Sequence, residues 1–515
     1  MAIIGIDFGN YNTFPCFISD FDPGTRMGGT VHDLLPSGLQ DGIPSVFYYS
    51  QNVGVLCGEE AVRTRARPVS NRIRNLKRHL ADSITLDDRT ISYGEAITSV
   101  IEHCVRRANE QLHAGWQMTT NQIALSYPAS YTSAQLQRLI ELAERATLAD
   151  GTPVEVVGTI REPAAAALDY LAEFAQTKDE TTVLTYDLGG GTFDLALVAA
   201  YPGGRKNREG GTYYYDIIAP GGLPNVGGTE FDEVLYQLML SKLDVPLKPV
   251  HQSALRRQAE AIKIALSTDD YAEEELFYED DYLPFQITRQ EFEIASRSLL
   301  MQTIDATRQM LREHPNQQPE LILLTGGASK MPMVKRALEE ALPQFKDRII
   351  YFRPSRAIAY GAARFGTAEV NSDITGEDRV VQQRTIFDIG VRFYSGKDDE
   401  LGYISTYIPA GTPIPYTGEY HGSRTLHENQ RYSGFSVYEA VVAEPNRYNV
   451  FEDYVQIMEV IVDHGEGGVP KGTENESRLQ VDKLGVLTIQ ARMKTDAGMK
   501  PVENTVQLTN LSSSS

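Results

Sequence analysis

The chain has 515 residues, long enough for about three domains of roughly 150 residues each, and 42% hydrophobic residues give it material for sizeable cores. A formal net charge of −21 argues against nucleic acid as a partner, because a phosphate backbone would be repelled; the excess is spread along the chain and reads as a solvated surface. The scattered Cys16, Cys57 and Cys104 form neither a CxxC pair nor a disulfide framework, no basic leader opens the sequence and no apolar run of ~20 residues occurs, so a reducing, cytoplasmic setting without membrane association is expected.

Residues 3–6 read as a short apolar strand, Asp7-Phe8-Gly9-Asn10-Tyr11-Asn12-Thr13 as a turn, and 14–18 as the return strand. Residues 20–42 are rich in Gly, Asp and Pro and read as a surface excursion. A strand over 44–49 and a segment over 55–66 leading into a helix follow. The basic stretch 71–80, with Lys77 in it, reads as an exposed helix face. The spacing predicts a helix over 93–112, a strand over 122–126 stopped at Pro128, and an amphipathic helix over 133–149. A strand over 154–160 leads into Arg161-Glu162-Pro163 and an alanine-rich helix whose small side chains suit close packing. Glu162 stands at that helix start, where a carboxylate can hold a Mg²⁺-bound water or orient a nucleophile.

Residues 182–186 are a buried strand and 195–198 its partner. Between them stands Asp187-Leu188-Gly189-Gly190-Gly191-Thr192-Phe193-Asp194. Three glycines in a tight hairpin let backbone N–H groups converge, which makes an anion site, above all for phosphate. Asp187 can hold Mg²⁺ through its waters, and Thr192 offers a hydroxyl beside the phosphates. Two strand–Asp-x-Gly–strand hairpins, far apart in sequence, predict two similar halves facing one nucleotide. Residues 203–211 read as a loop tip. Gly227 and Gly228 open a helix over 231–243, a further phosphate-side feature. In a helix over 253–266, Glu260, Lys263 and Ser267 share one face, either as an exposed Glu–Lys pair or as a ligand face. Strands over 273–287 and a helix over 290–313 follow. A strand over 321–324 enters Thr325-Gly326-Gly327-Ala328-Ser329-Lys330 and a helix over 333–342, a layout suited to adenosine or phosphate. A strand over 348–352 and a helix over 358–365 close this part. The polar stretch 367–383 reads as a linker, with Val380 and Val381 its only apolar docking pair. Alternating segments over 385–391, 404–408, 434–443, 455–462, 478–481, 486–493 and 505–508 then predict an antiparallel β-sandwich.

The three glycine turns, in this order and at these separations, resemble the phosphate-one, phosphate-two and adenosine motifs of the actin-like ATPase superfamily. Within it the chain is most similar to the seventy-kilodalton heat-shock chaperones, the DnaK-type family. Ile43-Pro44-Ser45-Val46, Glu162-Pro163-Ala164-Ala165-Ala166-Ala167-Leu168, Gly227-Gly228-Thr229-Glu230-Phe231-Asp232 and Arg356-Ala357-Ile358-Ala359-Tyr360-Gly361-Ala362-Ala363 match as well. The resemblance implies an α/β fold: an actin-like, ribonuclease H-like, two-lobed ATPase domain over 1–366, a linker over 367–384 and a β-sandwich over 385–510.

It further implies ATP/ADP and Mg²⁺ as cofactors. Asp7 and Asp187 would position the ion through water. Gly9, Asn10, Tyr11, Asn12, Gly189, Gly190, Gly191 and Thr192 would cradle phosphates with Gly227 and Gly228. Lys77, Glu162, Asp187, Thr192 and Asp194 would be catalytic. Glu260, Lys263, Ser267, Gly326, Gly327, Ala328 and Lys330 would hold adenosine and ribose. Stretches such as Tyr407-Ile408-Pro409-Ala410-Gly411-Thr412-Pro413-Ile414-Pro415 resemble the family's peptide-binding β domain, with Ile404, Phe435 and Val437 lining a groove or serving as sandwich core. No helical lid is expected after it, which implies a weaker hold on peptide. The function implied is a nucleotide-gated, ATP-hydrolysing chaperone with polypeptide clients and co-chaperones or a nucleotide-exchange factor as partners. Three departures stand out. Asn10 and Tyr11 replace the family's paired threonines, Lys330 replaces an arginine, and the linker lacks the family's leucine cluster. They keep open a second reading, a non-hydrolysing nucleotide-gated interaction module. A small-molecule kinase of the same superfamily is disfavoured by the β-sandwich.

Overall fold

The structure, a computed structural model, describes residues 2–21, 27–63, 68–175, 178–207, 210–243, 245–279, 281–375, 380–394, 402–442, 444–495, 498–501 and 504–509. Two sheets share one plan. In the first, Ile4–Phe8 pairs antiparallel with Asn12–Ser19 and parallel with Gln122–Tyr127, which pairs parallel with Glu155–Arg161. In the second, Thr181–Leu188 pairs antiparallel with Phe193–Lys206 and parallel with Leu321–Thr325, which pairs parallel with Ile349–Tyr351. Strands covered on both faces read as continuous apolar runs, and every residue of Thr181–Leu188 is buried. The two hairpins close alike. The Gly9 amide donates to the Asn12 carbonyl and the Gly189 amide to the Thr192 carbonyl, both at 3.0 Å.

Two helices, Glu162–Phe174 and Ala357–Thr375, pack face to face beside these sheets. Small residues bring them together. Ala164 to Ala167 are fully buried, and a Cβ on Gly361 would lie 1.8 Å from the Ala165 carbonyl oxygen. The same helix presses on the first sheet, where a Cβ on Gly5 would lie 2.3 Å from the Ala363 amide.

Three elements depart from the periodicity. The basic stretch 71–80 is no helix: Arg72–Ile73 is a strand, Asn75 takes a left-handed φ of 56°, and Leu76–Arg78 is one 3₁₀ turn that buries Lys77. The helix Ser133–Glu144 stops five residues before 149, where Thr147 turns back to bridge Pro153. The last helix runs on to Thr375, through the stretch that composition marks as linker. Four of its polar residues face inward: Arg364, Thr367, Glu369 and Ser372 are buried. Gly376 lies outside the described residues. Beyond it, Val381–Arg384 is a strand of the second sheet, with Tyr215 opposite Val381 and Asp216 opposite Gln382. Val380 and Val381 are buried there.

The C-terminal part holds two antiparallel five-stranded sheets. One runs Tyr403–Ile408, Ile389–Phe393, Tyr432–Ala440, Tyr454–Asp463, Asn504–Leu508; the other is built on Glu474–Val481 and Leu487–Thr495. Val391, Val437 and Val460 of the first share one apolar cluster with Leu479, Leu487 and Ile489 of the second. Ile404, Phe435 and Val437 are 1%, 6% and 0% exposed, so they are core positions and do not line an open groove. Ile404 is buried in a separate apolar cluster with Tyr438, Ala440, Val450 and Tyr454, whereas Phe435 and Val437 pack on the opposite sheet. Ala134, from the N-terminal half of the chain, joins the same cluster, so the two parts abut.

Candidate active site

A cavity of about 520 Å³ opens between the first two sheets. Both hairpins reach it, through Asp7, Gly9, Asn10, Tyr11 and Asn12 and through Asp187, Gly189, Gly190, Gly191 and Thr192. The third turn contributes Gly326, Gly327, Ala328 and Lys330, and the helix Pro249–Ala265 with the residues after it contributes Glu260, Lys263 and Ser267. Lys77, Pro128, Glu162 and Gly228 complete the lining among the residues singled out by sequence. Two lie behind it. Asp194 is buried beneath the hairpin, where its carboxylate accepts the Ser130 N–H at 3.3 Å. Gly227 supports the hairpin from the back, since a Cβ there would lie 2.6 Å from the Gly191 carbonyl carbon.

The glycines are set by these contacts. Gly228 and Thr229 donate their amides to the Gly189 and Gly190 carbonyls at 2.9 and 2.8 Å, and the Thr229 hydroxyl adds a bond to Gly190 at 2.8 Å. Gly326 has φ +78°, and a Cβ on it would meet the Leu188 carbonyl at 2.3 Å. Only glycine lets the third turn lie this close to the second hairpin.

Charge is concentrated at the floor. The Lys77 ammonium donates to the Glu162 carboxylate, and both are buried. Burial alone would lower the Lys77 pKa, but the facing Glu162 and Asp7 carboxylates outweigh it and hold it above its usual range. Asp7 is pushed up to about 7 by burial, partly offset by Lys77 and reinforced by Glu162. Asp194 is likewise pushed up to about 7 by burial and then by Glu162. Asp187 is raised well above its ordinary value by burial, then by Glu162, Asp194 and Asp7. Four buried carboxylates therefore share one lysine. One buried oxygen of Asp187 and the buried side-chain oxygen of Asn10 have no hydrogen-bond partner. This donor set fits a divalent cation beside Lys77. Among the described residues no three His, Cys, Asp or Glu side chains converge closely enough to chelate a metal directly.

On the opposite wall, Lys263 is anchored. It pairs with Asp232 at 2.7 Å and donates to the Gly228 carbonyl at 2.9 Å, so its partner is not Glu260, as the helical spacing allowed. Asp41, Ile264, Met331, Pro354, Ser355 and Ile358 also line the cavity. Ile358 falls within a motif matched by sequence; the others do not and were missed, Ser355 standing one residue before that motif and Asp41 lying in the loop that reads as a surface excursion. Arg78 was missed too. It donates to the Gly191 carbonyl and pairs with Glu230 at 2.9 Å, joining the two halves.

The family model described as Hsp70 protein matches residues 83–514. The chain is 27% identical over 432 residues to the chaperone protein DnaK of Thermotoga neapolitana, a match covering 80% of this chain and 66% of that chaperone. The DnaK chaperones of Thermotoga petrophila and Thermotoga maritima match with the same identity and coverage. The match thus spans just under two thirds of these relatives' length. The family's actin-like ATPase fold agrees with the α/β architecture, and its members bind ATP or ADP with Mg²⁺. With a family model covering far more than half of its residues, the chain belongs to the Hsp70 family.

Proposed function

We propose that this protein binds ATP and ADP between its two N-terminal sheets, hydrolyses ATP, and uses nucleotide state to gate polypeptide binding by a C-terminal β-sandwich. In this reading residues 1–366 form the ATPase domain, 367–384 the connection and 385–510 the peptide-binding domain. One observation carries it: three glycine turns, separated by more than a hundred residues each, meet in one cavity with Lys77, Asp7, Glu162 and Asp187 at its floor and Asp194 behind it.

The chemistry follows from that arrangement. Gly9 and Gly189 close their hairpins with their own amides, the amides of Gly190 and Gly191 face the phosphates, and Thr192 adds a hydroxyl. Lys77 faces the transferring phosphoryl group, where charge spreads over its oxygens. Glu162 accepts a hydrogen bond from the attacking water and takes its proton, and Asp194, buried behind the hairpin, adds negative charge beside it. The water oxygen bonds to the γ-phosphorus as the bond to the β–γ bridging oxygen breaks, and ADP keeps that electron pair. Asp7 and Asp187 would hold Mg²⁺ through water, and the bound ion supplies positive charge beside the phosphates. Glu260, Ser267 and Lys330 line the part assigned to adenosine. Coupling to the sandwich would run through Val380 and Val381 on the second sheet and through the Thr159 hydroxyl, which donates to the Leu484 carbonyl at 2.6 Å. Polypeptide clients, co-chaperones or a nucleotide-exchange factor and a cytoplasmic setting belong to the same proposal.

Tyr11, a bulky ring in the phosphate region, favours the second reading of a nucleotide-gated module without turnover. Steady-state ATP hydrolysis by the wild type and Lys77→Ala, with and without extended peptides, separates the two. Lys77-dependent turnover that rises with peptide supports the ATPase cycle. Tight ATP binding with turnover no higher than in Lys77→Ala leaves only the gated module.

A further inference from the structure

Tyr11 reaches across the cleft. Its main chain belongs to the first half, where its carbonyl accepts the Ser45 N–H at 2.8 Å. Its ring lies on the second half: a Cβ added to Gly190 would be 2.3 Å from the Tyr11 Cε2 and 2.5 Å from its Cδ2. The phenol oxygen faces the Thr229 side chain, whose hydroxyl is itself tied to the Gly190 carbonyl at 2.8 Å. The next glycine is gripped from the same side. A Cβ on Gly191 would stand 2.6 Å from the Asn10 Nδ2 and 3.0 Å from the Arg78 Nε. Arg78 also donates to the Gly191 carbonyl and pairs with Glu230. Gly190 and Gly191 are thus held from the opposite half by three side chains, and the ring of Tyr11 is the largest. A threonine at position 11 is too short to make the ring contact.

We propose that Tyr11 is a positioning residue that latches the second glycine hairpin to the first, so that release of bound nucleotide is limited by opening of the Tyr11–Gly190 contact. The inference rests on the reading of the cavity as a nucleotide site. The contact is a hydrophobic ring lying on a glycine whose missing side chain makes the space, and Gly190 is bare because Tyr11 occupies the room of its Cβ. The phenol is pushed up to about 12 by burial and by Glu260, so it stays neutral and the latch keeps its chemistry across physiological pH.

The test is the release of fluorescently labelled ADP from preloaded full-length protein, chased with excess ATP in the presence of Mg²⁺. Tyr11→Thr should release the label about tenfold faster, a difference of about 1.4 kcal/mol. Tyr11→Phe, which keeps the ring, should stay within about twofold of wild type, and that rescue separates the latch from a general loss of packing. Gly190→Ala supplies an independent arm. It should accelerate release in the wild-type background, by pushing the ring away, and add nothing in the Tyr11→Thr background, where the room is free. Equal acceleration by Tyr11→Phe and Tyr11→Thr overturns the proposal by assigning the hold to the hydroxyl. Binding with unchanged release in Tyr11→Thr overturns the latch alone, whereas no binding to wild type overturns the nucleotide reading with it.

Discussion

Lys77 is the cation at the centre of the site, and its surroundings decide what its loss does. It is 5% exposed, held between Glu162 and Asp7, and its main-chain carbonyl accepts the Tyr131 hydroxyl at 2.7 Å. Lys77→Ala should lower ATP turnover by about a hundredfold or more while leaving ADP binding within a few-fold, measured by steady-state rates beside titration of labelled ADP. Equal loss of both would make Lys77 a binding residue only. Proton linkage gives a second prediction. Asp7 and Asp194, raised from 3.8 to about 7, hold protons in the folded protein that the unfolded chain has released. The folded state therefore binds more protons between these values, and its stability without ligand falls as pH rises through that window. A bound cation replaces those protons. The thermal shift produced by Mg²⁺ and ADP should accordingly be larger at pH 8 than at pH 6, and a shift independent of pH would remove the carboxylates from the ion site. Lys77 itself was legible only through the family resemblance. By pattern alone it belonged to a basic helix face, because nothing in 71–80 announces that the left-handed Asn75 turns it inward.

At the scale of elements, strand–glycine–strand hairpins were readable because apolar runs and glycines encode both the sheet and its turn. The length of the helix Ala357–Thr375 was not, since its second half is polar in composition while Thr367, Glu369 and Ser372 within it are buried. Arg364 donates to the Asp169 carboxylate at 2.9 Å and also to the Met27 carbonyl, contacts between residues hundreds of positions apart that no local pattern carries. The close helix pair makes a prediction of its own. In Gly361→Val the first new carbon would fall 1.8 Å from the Ala165 carbonyl oxygen, a backbone atom that cannot step aside without moving the helix. The variant should lose about 3 kcal/mol in urea unfolding. Gly434→Ala is the control. It meets no atom within 4 Å and should stay within about 0.5 kcal/mol of wild type.

Across the whole molecule, one short strand joins the three main sheets' neighbourhoods. Val381–Arg384 pairs with Thr212–Leu223 on one side and with Pro413–Ile414 on the other, and the Gln383 side chain donates to the Thr159 carbonyl at 3.1 Å. The Arg384 guanidinium grips Asp216 with two bonds of 3.0 and 2.9 Å, and the Arg384 carbonyl accepts Arg161 at 3.2 Å. Farther out, the Ser133 amide donates to the buried Glu439 carboxylate at 2.8 Å. Composition marks this stretch as a linker because three of its four residues are polar or charged, and polar side chains that bond across chain segments look the same in sequence as polar side chains in water. Arg384→Ala leaves the buried Asp216 carboxylate without its fork. The pair is only partly enclosed, so the cost lies between that of surface and buried pairs, about 2 kcal/mol. That is a large share of what holds one strand with two ladder contacts on the second sheet. The strand should therefore detach more often, and limited proteolysis should cut between residues 376 and 388 several-fold faster than in wild type at equal protease. Small-angle scattering should show a larger radius of gyration if the C-terminal sheets leave with it. An unchanged radius beside faster cutting would mean that the Ser133–Glu439 and Thr159–Leu484 bonds hold the two parts together without the strand, and the coupling route proposed through Val380 and Val381 would have to move to those bonds.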